Sequence, residues 1–228
     1  MCWNEPVSYV TFALGTLFNI GSYIYLRKTG SIVAPLAFYW QFALLMQLPE
    51  GAAWTILDRG DGNIAAASNT AMVLNVLQPV ALLATVWIGY RRLPVPAAVA
   101  TLMYVILILA DISTIWSESD SIAPDPGCSH LDLRWWNGSR TALYVFASLF
   151  GFCAIPSLVR AAVNILIYLI TLLIAGVAYP CGGGSMWCWM IFLAGIILAA
   201  VESATQLALG RKRARRVLRA TRVTWRRK

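Results

Sequence analysis

TALYVFASLFGFCAIPSLVRAAVNILIYLITLLIAGVAY, residues 141–179, is an apolar run interrupted by a single base. As one α-helix it would reach about 58 Å, roughly twice the hydrocarbon core of a bilayer. A turn is therefore required inside it. Pro156-Ser157 followed by Arg160 is the place. Proline lacks the N–H that a helix interior needs, and an arginine belongs at a membrane border. The split gives two spans, 140–158 and 161–180, and fixes the count for the whole chain.

Charge and turn residues mark the other boundaries. They are Arg27-Lys28, Asp58-Arg59-Gly60-Asp61, Arg91-Arg92 before Pro94, the polar segment 118–139, and Cys181-Gly182-Gly183-Gly184. The expected spans are 7–26, 32–57, 67–89, 95–117, 140–158, 161–180 and 186–209. Composition agrees: 59% of the 228 residues are hydrophobic and 12% charged, where a soluble domain carries about 25%. The sequence predicts an all-α, polytopic membrane protein. A seven-transmembrane helix bundle occupies 1–210 and a basic tail 211–228. The start MCWNEPVSY has no basic region, and the first apolar run is of full span length. That run is expected to act as targeting signal and first span together. The expected address is a secretory-pathway, plasma or viral membrane.

Charge tests the count independently. The net charge is +8, but ten of the 18 bases lie between Arg211 and Lys228. Residues 1–210 keep eight bases against ten acids. With seven spans, N-terminus outside and C-terminus cytosolic, the inner segments hold Arg27, Lys28, Arg91, Arg92, Arg160 and the ten tail bases, and no acid. The outer segments hold Glu5, Asp58, Asp61, Glu118, Asp120, Asp125 and Asp132 against Arg59, Arg134 and Arg140. That asymmetry is the positive-inside pattern, and a six-span count breaks it. Cys2, Cys128, Cys181 and Cys188 fall outside, Cys153 mid-membrane. Four outward cysteines predict two disulfides in an oxidising compartment, with three pairings open. Asn137-Gly138-Ser139 reads as an outer glycosylation sequon beside an aromatic belt.

Three acids remain within the spans. Glu50 sits about 9 Å outward of the midplane and Asp111 about 7.5 Å, while Glu202 lies about 6 Å inward. A carboxylate there costs about 2.5–3.5 kcal/mol, so it should face the bundle interior or a wet cavity. With no base inside a span and His130 the only histidine, no charged partner is expected. Each acid has amide or hydroxyl company on one helix face: Gln47 with Glu50, Thr114 with Asp111, Gln206 with Glu202; Asn75 and Gln78 make a further amide pair. Asn19 and Asn164 add further amides. Pro49 and Pro79 should release the carbonyls of Leu45 and Asn75 as extra acceptors.

Glu50, Asp111, Gln47, Asn75, Gln78, Glu202 and Gln206 are thus expected to line a channel, carrier path or binding cavity for protons or a small cationic or polar solute. A receptor-like sensor, or a structural membrane protein of a cell or virion, is the alternative. The lysines are Lys28, Lys212 and Lys228, so none can carry a retinal Schiff base in the last span. The Asp-Arg-Tyr and Asn-Pro-x-x-Tyr signatures of receptors are missing. Gln78-Pro79 reverses the Pro-Gln order of the three-plus-one-plus-three carriers. No enzyme, metal or cofactor is expected. One histidine is too few for a three-histidine zinc site, and one intramembrane aspartate too few for an aspartyl dyad. The tail, led by Arg211, Lys212, Arg213, Arg215 and Arg216, should lie on anionic inner-leaflet lipid at about 1 kcal/mol per base. Lipid is favoured over nucleic acid as its partner by the juxtamembrane position. Self-association into a homo-oligomer stays open.

Met1-Cys2-Trp3-Asn4-Glu5, Gln47-x-x-Glu50 with Trp54, Leu77-Gln78-Pro79, His130-Leu-x-Leu-Arg-Trp135 and Met186-Trp187-Cys188-Trp189 resemble a seven-span family of unknown function. Its members occur in large DNA viruses of algae and protists and in some cells. The resemblance covers nearly the whole chain and implies a membrane protein without assigning an activity. It also implies that Cys2, Trp3, Asn4, His130 and Trp135 form one outer cap. His130 would act as a pH-sensitive lid if it neighbours Glu50 or Asp111.

Overall fold

Asn4 starts the first helix: its side chain accepts the Val7 N–H at 3.0 Å, with Pro6 in the first turn. Proline is harmless there, because the first-turn N–H groups have no intrahelical partner anyway. The computed structural model describes residues 4–91, 94–119, 123–124, 131–132, 138–178 and 191–208. Helix α1 runs Glu5–Lys28 and buries Ser8, Thr11, Gly15, Asn19, Ser22 and Leu26. Its outward face is Val10, Leu17 and Ile20, all more than half exposed. A helix in water turns the other way round, with the apolar stripe inward. Lipid reverses the preference: apolar side chains face it, and small and polar ones face neighbouring helices.

Helices α2 (Leu36–Leu44) and α3 (Gln47–Arg59) occupy the second expected span, broken at Leu45-Met46. Both break residues keep right-handed helical dihedrals. Pro49 is the cause, having no N–H to give Leu45 and crowding its carbonyl. The helix tightens to compensate, and the Leu48 N–H bonds the Leu45 carbonyl at 3.1 Å. The carbonyl expected to be free is therefore already occupied. Gly60, at φ 68°, ends α3 with its N–H on the Ile56 carbonyl at 2.9 Å. Asn63 then caps α4 (Ile64–Tyr90), accepting the Ala66 N–H at 3.2 Å.

Helices α5 (Val95–Ala110) and α6 (Ile112–Ser119) meet at Asp111, where the axis bends by 64°. A two-residue antiparallel bridge follows, Ala123 opposite Asp132 and Pro124 opposite Leu131. After α7 (Gly138–Cys153) the chain turns around Pro156, with the Ser157 N–H on the Ile155 carbonyl at 2.7 Å. Helix α8 (Leu158–Ala178) follows. A 3-10 turn at Ile191–Leu193 leads into α9 (Ala194–Ala208).

Among the described residues, α1 and α4 are each long and apolar enough to cross a membrane. The bent pair α5–α6 makes a third if it acts as one unit. Helices α2 and α3, of nine and thirteen residues, do not reach that length singly. Helix α4 is central, touching α2, α3, α5 and α7, while α1 packs on α2, α3 and the start of the last helical segment. The core between them is aromatic: Tyr39, Trp40, Tyr144, Phe152 and Tyr168 are all fully buried.

Helix α1 reaches the last segment through Gly195. A Cβ there would lie 2.2 Å from Asn19 Oδ1, and the Gly195 carbonyl accepts the Ser22 hydroxyl at 2.8 Å. Gly195→Val should therefore lower stability by about 1–3 kcal/mol through overpacking. Gly21→Ala, which meets nothing within 4 Å, should not. Thermal unfolding of both variants in detergent checks the difference.

Candidate functional site

The break before Pro49 places Gln47 and Glu50 in the first turn of α3, facing inward, 0% and 1% exposed. Their spacing of three brings the side chains together, and Gln47 Nε2 donates to Glu50 Oε2 at 3.2 Å. Helix α1 closes over them. A Cβ on Gly51 would meet the Tyr9 ring at 2.9 Å and the Ser8 Cβ at 3.2 Å. A side chain at 51 would require the Tyr9 ring to move aside.

A second polar group lies on α4. Gln78 Nε2 donates to Asn75 Oδ1 at 3.1 Å, and the Tyr144 hydroxyl of α7 donates to Gln78 Oε1. Pro79 deprives the Asn75 carbonyl of its helical donor. In the same turn the Tyr104 hydroxyl of α5 donates to the Val76 carbonyl at 3.0 Å. Two tyrosines thus brace the weakest turn of the central helix. Tyr144 stacks on Tyr168 with centroids 6.3 Å apart, and Phe152 packs on Tyr168 at 5.5 Å and on Tyr39 at 5.6 Å. On the other side of α2, Gln41 accepts from Asn19 Nδ2 at 3.2 Å and donates to Thr16 at 3.0 Å.

Asp111 has an arginine for its partner. It sits at the α5–α6 bend, and Arg140 of α7 bonds its Oδ2 through Nε and an Nη, both at 2.7 Å. The same guanidinium reaches Glu118. Arg140 is itself buried, while the two acids are partly exposed. Glu202 is also paired: Arg160 of α8 holds both its oxygens, at 2.8 and 2.6 Å, and Gln206 Nε2 adds a bond at 3.3 Å. The expectation that no base would meet these acids is corrected at both places. The reason is reach. Each arginine starts at a helix end, and its long side chain bends back along the bundle.

The amide companions Gln47, Asn75, Gln78 and Gln206 thus stand beside the side chains their spacing predicted. The arginines and tyrosines around them were missed. Arg140 carried a signal, being a base on the acid-rich side at the first turn of an apolar helix. Among the described residues, no three His, Cys, Asp or Glu side chains come together as a metal site. Cys153 is a free, exposed thiol. His130, Trp135, Trp3, Cys2, Cys128, Cys181, Cys188 and the tail residues Arg211, Lys212, Arg213, Arg215 and Arg216 lie outside the described residues. No family model, no curated protein and no solved structure matches the chain.

Arg160→Ala would strand Glu202, 3% exposed, without its counter-charge. Breaking a buried pair costs about 3–5 kcal/mol, and the partly exposed guanidinium brings this nearer 2–4. The double variant Arg160→Gln/Glu202→Gln should recover most of the loss in a thermal-melt mutant cycle.

Proposed function

We propose that the chain is a seven-span membrane protein, N-terminus outside and C-terminus cytosolic, that binds or conducts protons or a small cationic or polar solute through the buried polar groups around Glu50. The observation that carries this reading is Glu50 itself. It is a fully buried carboxyl, bonded by a neutral amide, at a break in a helical span. Ionisable groups at such depth are expensive and mark ion and proton paths. Broken helices at membrane depth are a recurring way of building those sites. Asn75, Gln78 and Tyr144 supply further donors and acceptors on the central helix. Asp111 and Glu202 leave the path and become ties between helices.

The seven-span reading draws on helices that fall on the seven apolar segments; among the described residues α1, α4 and, taken as one bent unit, α5–α6 reach spanning length and apolarity. The charge asymmetry supports the orientation. The tail from Arg211 onward would rest on the anionic inner leaflet. Kinship with the seven-span family suggested by the Gln47-x-x-Glu50 and Leu77-Gln78-Pro79 motifs belongs to the same proposal. A structural role without transport is the second reading, and the arginine pairs at Asp111 and Glu202 favour it, since they fix helices to one another.

Reconstitution in liposomes separates the two. Under an imposed pH or alkali-cation gradient, the wild-type chain should dissipate the gradient. Glu50→Gln should return the rate to that of protein-free vesicles, and Asp111→Asn should keep it. A wild-type rate equal to protein-free vesicles, or a Glu50→Gln rate equal to wild type, leaves the structural reading standing.

A further inference from the structure

At the end of the bundle where α1 and α4 both finish, a cleft of about 500 Å³ opens between them and the 31–35 connection. Gly89 allows its closed side: a Cβ there would lie 2.6 Å from Pro35 Cγ, so only glycine lets the connection sit against α4. Two arginines line the cleft, Arg27 from the last turn of α1 and Arg91 from the cap of α4. Neither has an ion pair among the described residues, in contrast to Arg140 and Arg160. Arg91 is the one non-glycine described residue with positive φ, 55°, and its N–H holds the Trp87 carbonyl at 2.8 Å. Such a conformation costs free energy for a residue with a Cβ. Here it fixes the direction in which the side chain leaves the helix.

The hydroxyl residues Tyr23, Ser31 and Thr85 also line the cleft, and one side of its wall is apolar and open. Ile32, Phe38 and Ile88 line it and are 40%, 56% and 63% exposed. A pair of unpaired guanidiniums above an exposed apolar wall fits an amphiphile whose anionic end is a phosphate, since guanidinium binds phosphate through paired N–H donors. The carbonyl ends of α1 and α4 oppose an anion with roughly half a charge each, less than the two full charges offered.

We propose that this cleft is a binding site for an anionic phospholipid, with its phosphate between Arg27 and Arg91 and an acyl chain along Phe38 and Ile88. The site is built into the fold and is separate from the diffuse attraction of the basic tail. It rests on the membrane placement of the bundle and not on the proton path, so an absence of flux leaves it untouched.

The test uses the full chain purified in detergent with phosphatidylglycerol or phosphatidylcholine, read by native mass spectrometry. Phosphatidylglycerol should stay bound to the wild type. Arg27→Gln/Arg91→Gln should weaken it by about tenfold or more, the loss expected of charged hydrogen bonds. Arg211→Gln/Lys212→Gln should leave it unchanged. In liposomes, a phosphatidylglycerol with a diazirine on its acyl chain should label wild-type peptides carrying Phe38 or Ile88. That readout needs no variant to fold. Labelling confined to other helices, or binding lost only with the tail bases, overturns the proposal. So does inorganic phosphate that displaces the lipid at equal concentration, which would mark a site for the free anion.

Discussion

Most polar groups inside this bundle are met by another part of the chain, because its outer surface is mainly apolar; Trp40 Nε1, Trp54 Nε1 and Thr101 Oγ1 are exceptions among the described residues. That constraint explains where the structure is tight. Gln47 turns to Glu50 and Gln78 to Asn75 within single helical turns. Tyr144 and Tyr104 reach from α7 and α5 to the turn of α4 that Pro79 weakens. Each interhelical bond of this kind is worth only about 0.6 kcal/mol in a membrane setting. Leaving a buried group unmet costs more, so pairing specifies the arrangement more than it stabilises it.

The same constraint divides the three acids. Asp111 and Glu202 lie within reach of arginines rooted at helix ends, and become fasteners between α5–α6 and α7 and between α8 and α9. Glu50 lies against an amide and the closely packed α1. Three carboxyl groups thus take different chemistry from what their neighbours can extend toward them. The proposed path follows from this division and uses a single acid.

Much of this could be read along the chain, because it depends on local periodicity. Helix breaks at Pro49 and Pro156, the turn at Gly60 and the amide partners of Glu50 and Glu202 all follow from spacing and from proline and glycine chemistry. The bend at Asp111 and the Arg140 and Arg160 pairs could not be read this way. They join residues 29 and 42 positions apart, and nothing in a one-dimensional pattern says how far a guanidinium bends back. The aromatic cluster of Tyr39, Trp40, Tyr144, Phe152 and Tyr168 was hidden for a different reason. In a chain this rich in apolar residues, hydrophobicity does not separate those that face lipid from those that face other helices.

The Arg160–Glu202 pair also carries a consequence for synthesis. The arginine is made 42 residues before its carboxylate, so until α9 is added the cation on α8 stands beside Tyr90 and Asn164 without its counter-charge. A fragment that stops before α9 therefore carries a charge on α8 that the same fragment extended through Glu202 has neutralised.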